Sequence, residues 1–111
     1  MKQQYFTDEA MRLDPVDPGK VSRKIKAYGD KAMMVEVYFE QGAEGAPHSH
    51  RHEQLSYCLE GAFDFSIGDE KYRLKVGDSV FIPGGRTHGV LCLSKGRLLD
   101  MFSPPREDFH Q

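Results

Sequence analysis

From Val21 onward the chain is a succession of short β-type runs, and no apolar pattern of helical period lasts more than a turn or two. The runs are VSRKIKAY, AMMVEVYFE, QLSYCLE, AFDFSI, KYRLKV, SVFIP, GVLCLS and RLLDMF. Glycine and proline punctuate them at Gly29-Asp30, Gly42 to Pro47, Gly61, Gly68-Asp69, Gly77-Asp78 and Pro83-Gly84-Gly85. These residues turn a chain or interrupt a hydrogen-bond ladder. SIGDEKYRL reads as a hairpin with Gly68-Asp69 near its tip. About eight short strands at this spacing specify an all-β sandwich or barrel. An open sheet of this size would leave bare edges and an uncovered apolar face, so a sheet closed on itself is expected. Residues 1–20 read as an N-terminal arm, in which TDEAMRL makes a helical turn and DPVDPG ends it; residues 21–111 form the barrel.

With 111 residues the chain can sustain one core but not two. Its net charge is −2, with Lys and Arg scattered along the sequence. Nucleic acid or an anionic membrane surface would call for a basic stripe, so neither is expected as a partner. No run approaches the roughly 18 apolar residues of a membrane helix. MKQQYFTDEA lacks the apolar stretch of a signal peptide, and a cytoplasmic location is expected. Cys58 and Cys92 lie far apart inside strand-like runs and read as buried small hydrophobes, not as a disulfide or a metal pair.

Four of the five histidines fall in two stretches, PHSHRHEQ at 47–54 and GGRTHG at 84–89. In an extended chain His48 and His50 point to one face, their roots roughly 6.6 Å apart, close enough for two imidazoles to meet over one ion. Strict alternation would add His52 and Gln54 to that face. It would also spread His48 and Gln54 about 20 Å apart, whereas ligands must lie near 2 Å from an ion. The chain must therefore bend between His50 and Gln54 if both bind, and that bend can carry His52 out of the site. Taken alone, HSHRH fits a solvated polar loop as well as it fits a metal site.

The wider spacing is more specific. Gly42, five residues, His48-x-His50, three residues, Gln54, six residues, Gly61 resembles the first sequence motif of the cupins, with Gln in place of the common Glu. Gly77, five residues, Pro83-x-Gly85, two residues, His88 resembles the second, and 15 residues separate the motifs. The resemblance implies a single-domain cupin, a double-stranded β-helix or jelly-roll barrel, holding one divalent metal ion through His48, His50, Gln54 and His88. Three neutral imidazoles and an amide would leave the ion its full +2 charge, which suits Lewis-acid chemistry better than an Fe(III) state. Mixed N/O ligands suit Zn, Ni, Mn, Fe or Co. Glu53 points away by alternation.

HSHRHEQLSYCLEG, followed by RLLDMFSPPREDF at 97–109, resembles a narrower group, the small KdgF-type cupins of pectin and alginate breakdown. The resemblance covers about residues 21–109. It implies opening of the ring of 4,5-unsaturated monouronates to linear 5-keto-4-deoxyuronate. It also implies a homodimer, with residues 1–28 pairing against the neighbouring barrel. Asp100 and Phe102 share one face of the last strand, with Leu99 and Met101 on the other. If that face is the lumen, Asp100 is a proton shuttle, Phe102 a wall against the sugar ring, and Arg106 a forked contact to the uronate carboxylate. Read without the resemblance, Phe102 is core, Arg106 bonds Glu107, Asp108 or a dimer mate, and Asp100 could equally pair with an arginine. Tyr38, Tyr57, Phe63 and Phe65 read as barrel packing. Other readings are a metal-dependent dioxygenase, a non-catalytic sugar-binding barrel, and a phosphosugar isomerase. The last would want a cationic cluster at the mouth, for which the sequence offers Arg51, Arg86 and Arg106.

Overall fold

The computed structural model describes residues 3–109. Its strands are β1 (Asp14–Asp17), β2 (Val21–Tyr28), β3 (Met33–Phe39), β4 (Glu44–His48), β5 (Glu53–Ile67), β6 (Glu70–Leu74), β7 (Ser79–Ile82) and β8 (His88–Ser103). The expected all-β cupin barrel is present, but the chain is divided differently. QLSYCLE and AFDFSI are one strand, and so are GVLCLS and RLLDMF. Gly61 bends β5 without ending it, because β8 keeps pairing on either side, Glu60 with Arg97 and Ala62 with Ser94. DPVD and EGAPH, read as turn chemistry, are the short strands β1 and β4. Both pair on one side only, where a proline needs no ladder bond.

The two long strands organise the rest. The second half of β8 lies between β3 and the first half of β5, and β7 lines that half of β5 on its other edge. The first half of β8 lies between β4 and the second half of β5, which also pairs with β6. β5 and β8 thus pass from one sheet into the other, and their inner faces enclose the core. Phe39 and Phe63 meet edge-to-face there, with centroids 5.2 Å apart, among Phe65, Ile82 and Leu98. Cys58 and Cys92 are free and buried in the same cluster, as expected.

Within the N-terminal segment TDEAMRL contributes a single 3-10 turn, Asp8–Ala10. It is held to β2 by ion pairs from Asp8 to Lys24 at 3.3 Å and Lys26 at 2.8 Å, with Phe6 packed on Tyr28. β2 pairs with β3 from Val21 to Tyr28, whereas β1 covers only Val21–Arg23 of its other edge.

The sheet-to-sheet crossing depends on a close backbone approach. A Cβ on Gly96 would overlap the Glu60 carbonyl and come within 2.8 Å of the Gly61 Cα. Gly96→Ala must push β5 away from β8, and the expected loss is about 2–3 kcal/mol, or a fall in Tm on the order of 10 °C. Gly29→Ala, with nothing within 4 Å of the added atom, should move Tm by no more than a few degrees in the same melts.

Candidate active site

His48 ends β4 and His88 begins β8, and the two are direct register partners. His50 sits in the irregular stretch between β4 and β5, where its carbonyl accepts the Gly85 N–H at 2.7 Å. The chain does bend here. His52 is buried outside the cluster, edge-on to His50 at 5.4 Å, and Glu53 is exposed. One ring nitrogen from each of His48, His50 and His88 lies within 4.8 Å of the others.

Hydrogen bonding decides which nitrogens face inward. The Nδ1 atoms of His48, His50 and His88 contact the carbonyls of Ala46, His52 and Arg86 at 2.9, 3.0 and 3.0 Å. A carbonyl can only accept, so each Nδ1 carries the hydrogen and each Nε2 presents a lone pair. This is the outer support that metal-binding imidazoles require. Burial lowers the His50 and His88 pKa values, with the Arg106 charge adding to the effect at His50. Both therefore favour the neutral, ligating form.

Gln54 completes the ring of donors. Its Oε1 lies 3.1 Å from His50 Nε2, lone pair against lone pair, a contact that becomes favourable with a cation between the two atoms. His88 Nε2 is buried without a hydrogen-bond partner among the described residues. Such an atom costs free energy unless something binds it. This set of nitrogens and one amide oxygen fits a divalent ion of the zinc, nickel or manganese type.

Behind Gln54 runs a buried polar chain. Gln54 Nε2 donates to Ser56 Oγ at 3.0 Å, and Ser56 Oγ donates to Asp100 Oδ1 at 2.6 Å. The Asp100 carboxylate thus orients the serine, and the serine turns the amide so that its oxygen faces the imidazoles. Burial pushes the Asp100 pKa up to about 6, with the Ser56 hydrogen bond and the Arg106 charge opposing the rise.

His48, Gln54, His88, Asp100, Phe102 and Arg106 all line one cavity of about 280 Å³ between the sheets, near the lower end of small-molecule sites. Asp100 and Phe102 do face the lumen, while Met101 is exposed. Phe102 meets the His50 ring at 5.8 Å. Arg106 is stacked near Phe102, 5.3 Å from its centroid, but its fork is engaged by Asp108 at 2.9 and 3.1 Å. Arg51 and Arg86 are exposed and lie outside the cavity wall, so Arg106 is the one of these three arginines that lines it.

Two residues in this site were not singled out from the sequence. Ser56 follows Gln54 by two in a strand, and that alternation alone would have placed it on the inner face. Arg23 lies in the cavity wall opposite the last strand. In VSRKIKAY it alternates with Lys24 and Lys26 and shares a face with Val21 and Ile25, so the same alternation would have marked it as the inward-facing cation.

If these donors form one site, adding Zn²⁺ or Ni²⁺ to chelated protein should raise Tm in step with log metal concentration. His88→Ala should abolish the rise, and Gln54→Ala should weaken it. Ser56→Ala should cost about 10–100-fold in metal affinity, the usual range for an outer support.

A protein-family model for the cupin domain matches residues 35–102. Pectin degradation protein KdgF of Dickeya dadantii (strain 3937) is 41% identical over 107 residues, spanning 95% of this chain and 96% of that protein. The structure of KdgF from Halomonas sp. superposes with a TM-score of 0.90 at 37% identity, covering 98% of this chain and 100% of that one. The crystal structure of an RmlC-like cupin from Shewanella frigidimarina NCIMB 400 gives a TM-score of 0.92 at 36% identity, covering 98% and 97% of the two chains. With a cupin-domain match over most of its length, and 37–41% identity to KdgF proteins over 95% or more of the chain, the chain belongs to the cupins and, among them, to the KdgF family.

Proposed function

We propose that the chain catalyses a metal-dependent isomerisation, opening 4,5-unsaturated monouronates to linear 5-keto-4-deoxyuronate. The observation that carries this reading is the meeting, in one cavity, of the candidate metal donors His48, Gln54 and His88 with a buried carboxyl group, an aromatic wall and an arginine. The relatives named for KdgF and pectin degradation support the substrate class. The reading includes a cytoplasmic location; among the described residues no helix is long and apolar enough to cross a membrane.

Substrate and product are isomers. The anomeric hydroxyl loses a proton, the C1–O5 bond breaks, an enol forms at C5, and a proton added at C4 yields the ketone. A bound divalent ion would supply positive charge to the oxyanion developing on O5. Asp100 is the group placed to move the proton. Its pKa of about 6 lets it accept from the anomeric oxygen and release to C4 near neutral pH. Ser56 holds Asp100 Oδ1 and leaves the second carboxylate oxygen for that exchange. Phe102 packs against one face of the sugar, and Arg106 holds the uronate carboxylate.

The direct test mixes metal-loaded protein with unsaturated galacturonate and follows loss of the enol-ether absorbance, with chelated protein as control. Asp100→Asn should lower the rate about 10²–10⁴-fold while keeping the metal-induced rise in Tm, since an Asn oxygen still accepts from Ser56. Turnover close to wild type would remove Asp100 from the mechanism. Arg106→Lys should raise KM more than it lowers kcat, because an ammonium keeps the charge but loses the fork. As the base, Asp100 must be ionised, so kcat/KM should fall as pH drops through its pKa. A bound dication draws that pKa down, which places the acid limb at or below about pH 6.

A homodimer is part of this reading. Phe81, Leu55 and Met101 stand side by side in register across β7, β5 and β8 on the outer face, 39–51% exposed, beside Tyr57. A self-complementary apolar row of this kind suits a twofold contact with a second copy. Light scattering at low micromolar concentration should give a dimer mass, and Leu55→Glu a monomer mass; a monomeric wild type would refute the dimer.

A further inference from the structure

The C-terminal turn (Glu107–Phe109) folds back over the cavity mouth. Two guanidinium groups approach the Phe109 ring, Arg23 at 3.7 Å from its centroid and Arg106 at 4.4 Å, and Phe109 meets Phe102 edge-on at 5.6 Å. Stacking on an aromatic face fixes a guanidinium plane and leaves its in-plane N–H edge for a planar anion. The two arginines come from distant parts of the sequence, β2 and the segment after β8, yet both line the same cavity.

Their hydrogen bonding is incomplete. Arg23 Nε is buried and has no hydrogen-bond partner among the described residues. Arg106 is only 12% exposed and forks onto Asp108, whose carboxylate is 63% exposed. Asp108 therefore reaches in from solvent, does not itself line the cavity, and feels the charge of both arginines. An exposed carboxylate in such a pair is weakly held, whereas a buried donor left unpaired costs free energy. The arrangement favours exchange of Asp108 for a carboxylate that satisfies both arginines from within the cavity.

We propose that Arg23 and Arg106 together form a receptor for the carboxylate of a sugar acid, and that Asp108 occupies Arg106 as an internal competitor until the ligand displaces it. The receptor rests on the uronate reading for the identity of its ligand. Arg23 is the binding residue this adds, and Asp108 sets a threshold: a neutral sugar cannot compete with it.

Isothermal titration of the full-length protein with D-galacturonate and with its methyl ester tests this without any turnover, because neither probe contains the enol ether. The titrations are run with bound metal and again in chelator, and the ratio of acid to ester affinity is compared between variants within each condition. Wild type should prefer the acid by about 10-fold or more, the usual strength of a charge-assisted pair. Arg23→Gln should lose most of that preference. Arg23→Lys, which keeps the charge and protects against a folding artefact, should lose part of it. Asp108→Asn should bind the acid several-fold more tightly and the ester unchanged. An Arg23→Gln protein with the full wild-type preference, or an Asp108→Asn protein that binds the acid more weakly, overturns the proposal. Intact acid preference without ring opening would sink the proposed reaction and leave the receptor standing.

Discussion

The antiparallel pairing of β5 with β8 is the constraint on which the site depends. It places Gln54 opposite Phe102 and Ser56 opposite Asp100. The candidate metal donor, its supporting hydroxyl, the carboxylate and the aromatic wall therefore share one face by register. Side chains alternate along a strand, so a slip of one residue would send Asp100 and Phe102 to solvent and bring Met101 inside. The Gly61–Gly96 approach, where the backbones nearly touch, pins that register and turns both strands into the second sheet. There β8 begins with His88, beside His48.

The site has an uneven electrostatic character for a chain of net charge −2. Its wall carries the imidazoles of His48 and His88, Arg23 and Arg106, the buried Asp100 whose ionisation is opposed by burial, and the exposed carboxylates Asp17 and Glu44. Most other lining residues are apolar, among them Val21, Val37, Phe39 and Leu98. In such surroundings charges are poorly screened, so the arginines and the carboxylates act on a bound group at short range. The same surroundings make an unsatisfied donor or acceptor costly. Ser56 joins Gln54 to Asp100 within hydrogen-bond distance on both sides, so the polar groups support one another instead of standing alone in an apolar lumen.

The rim differs from the lumen. Asp108 and Glu107 hold the C-terminal turn through Arg106 and the exposed Arg51, and Asp8 ties the N-terminal turn to β2. Exposed ion pairs of this kind contribute about 1 kcal/mol or less each. The rim can thus rearrange around a ligand while the β5–β8 frame keeps the reactive groups in place.

Much of this was legible in the amino-acid sequence. Glycine- and proline-punctuated strands specify an all-β barrel, and the two histidine stretches bring the cupin motifs with them. The distance limit on metal ligands requires the bend that carries His52 aside. Two-residue alternation assigns Asp100 and Phe102 to one face and Met101 to the other. The merging of four expected runs into β5 and β8 was not legible, because a glycine that bends a paired strand looks locally like one that ends it. Nor was the Arg23–Phe109–Arg106 stack, since β2 and the C-terminal turn are distant in the sequence and meet only when the sheets close; the Arg106–Asp108 pair was among the partners that the sequence offered, and the fold selected it. Residue type and spacing by themselves determined the all-β fold class, because strand period is a local constraint, and the candidate metal donors followed from the resemblance of the two motifs to those of the cupins. Tertiary structure alone decided that Arg23 and Arg106 meet at Phe109 in one cavity wall, because Arg23 lies more than eighty residues from the other two.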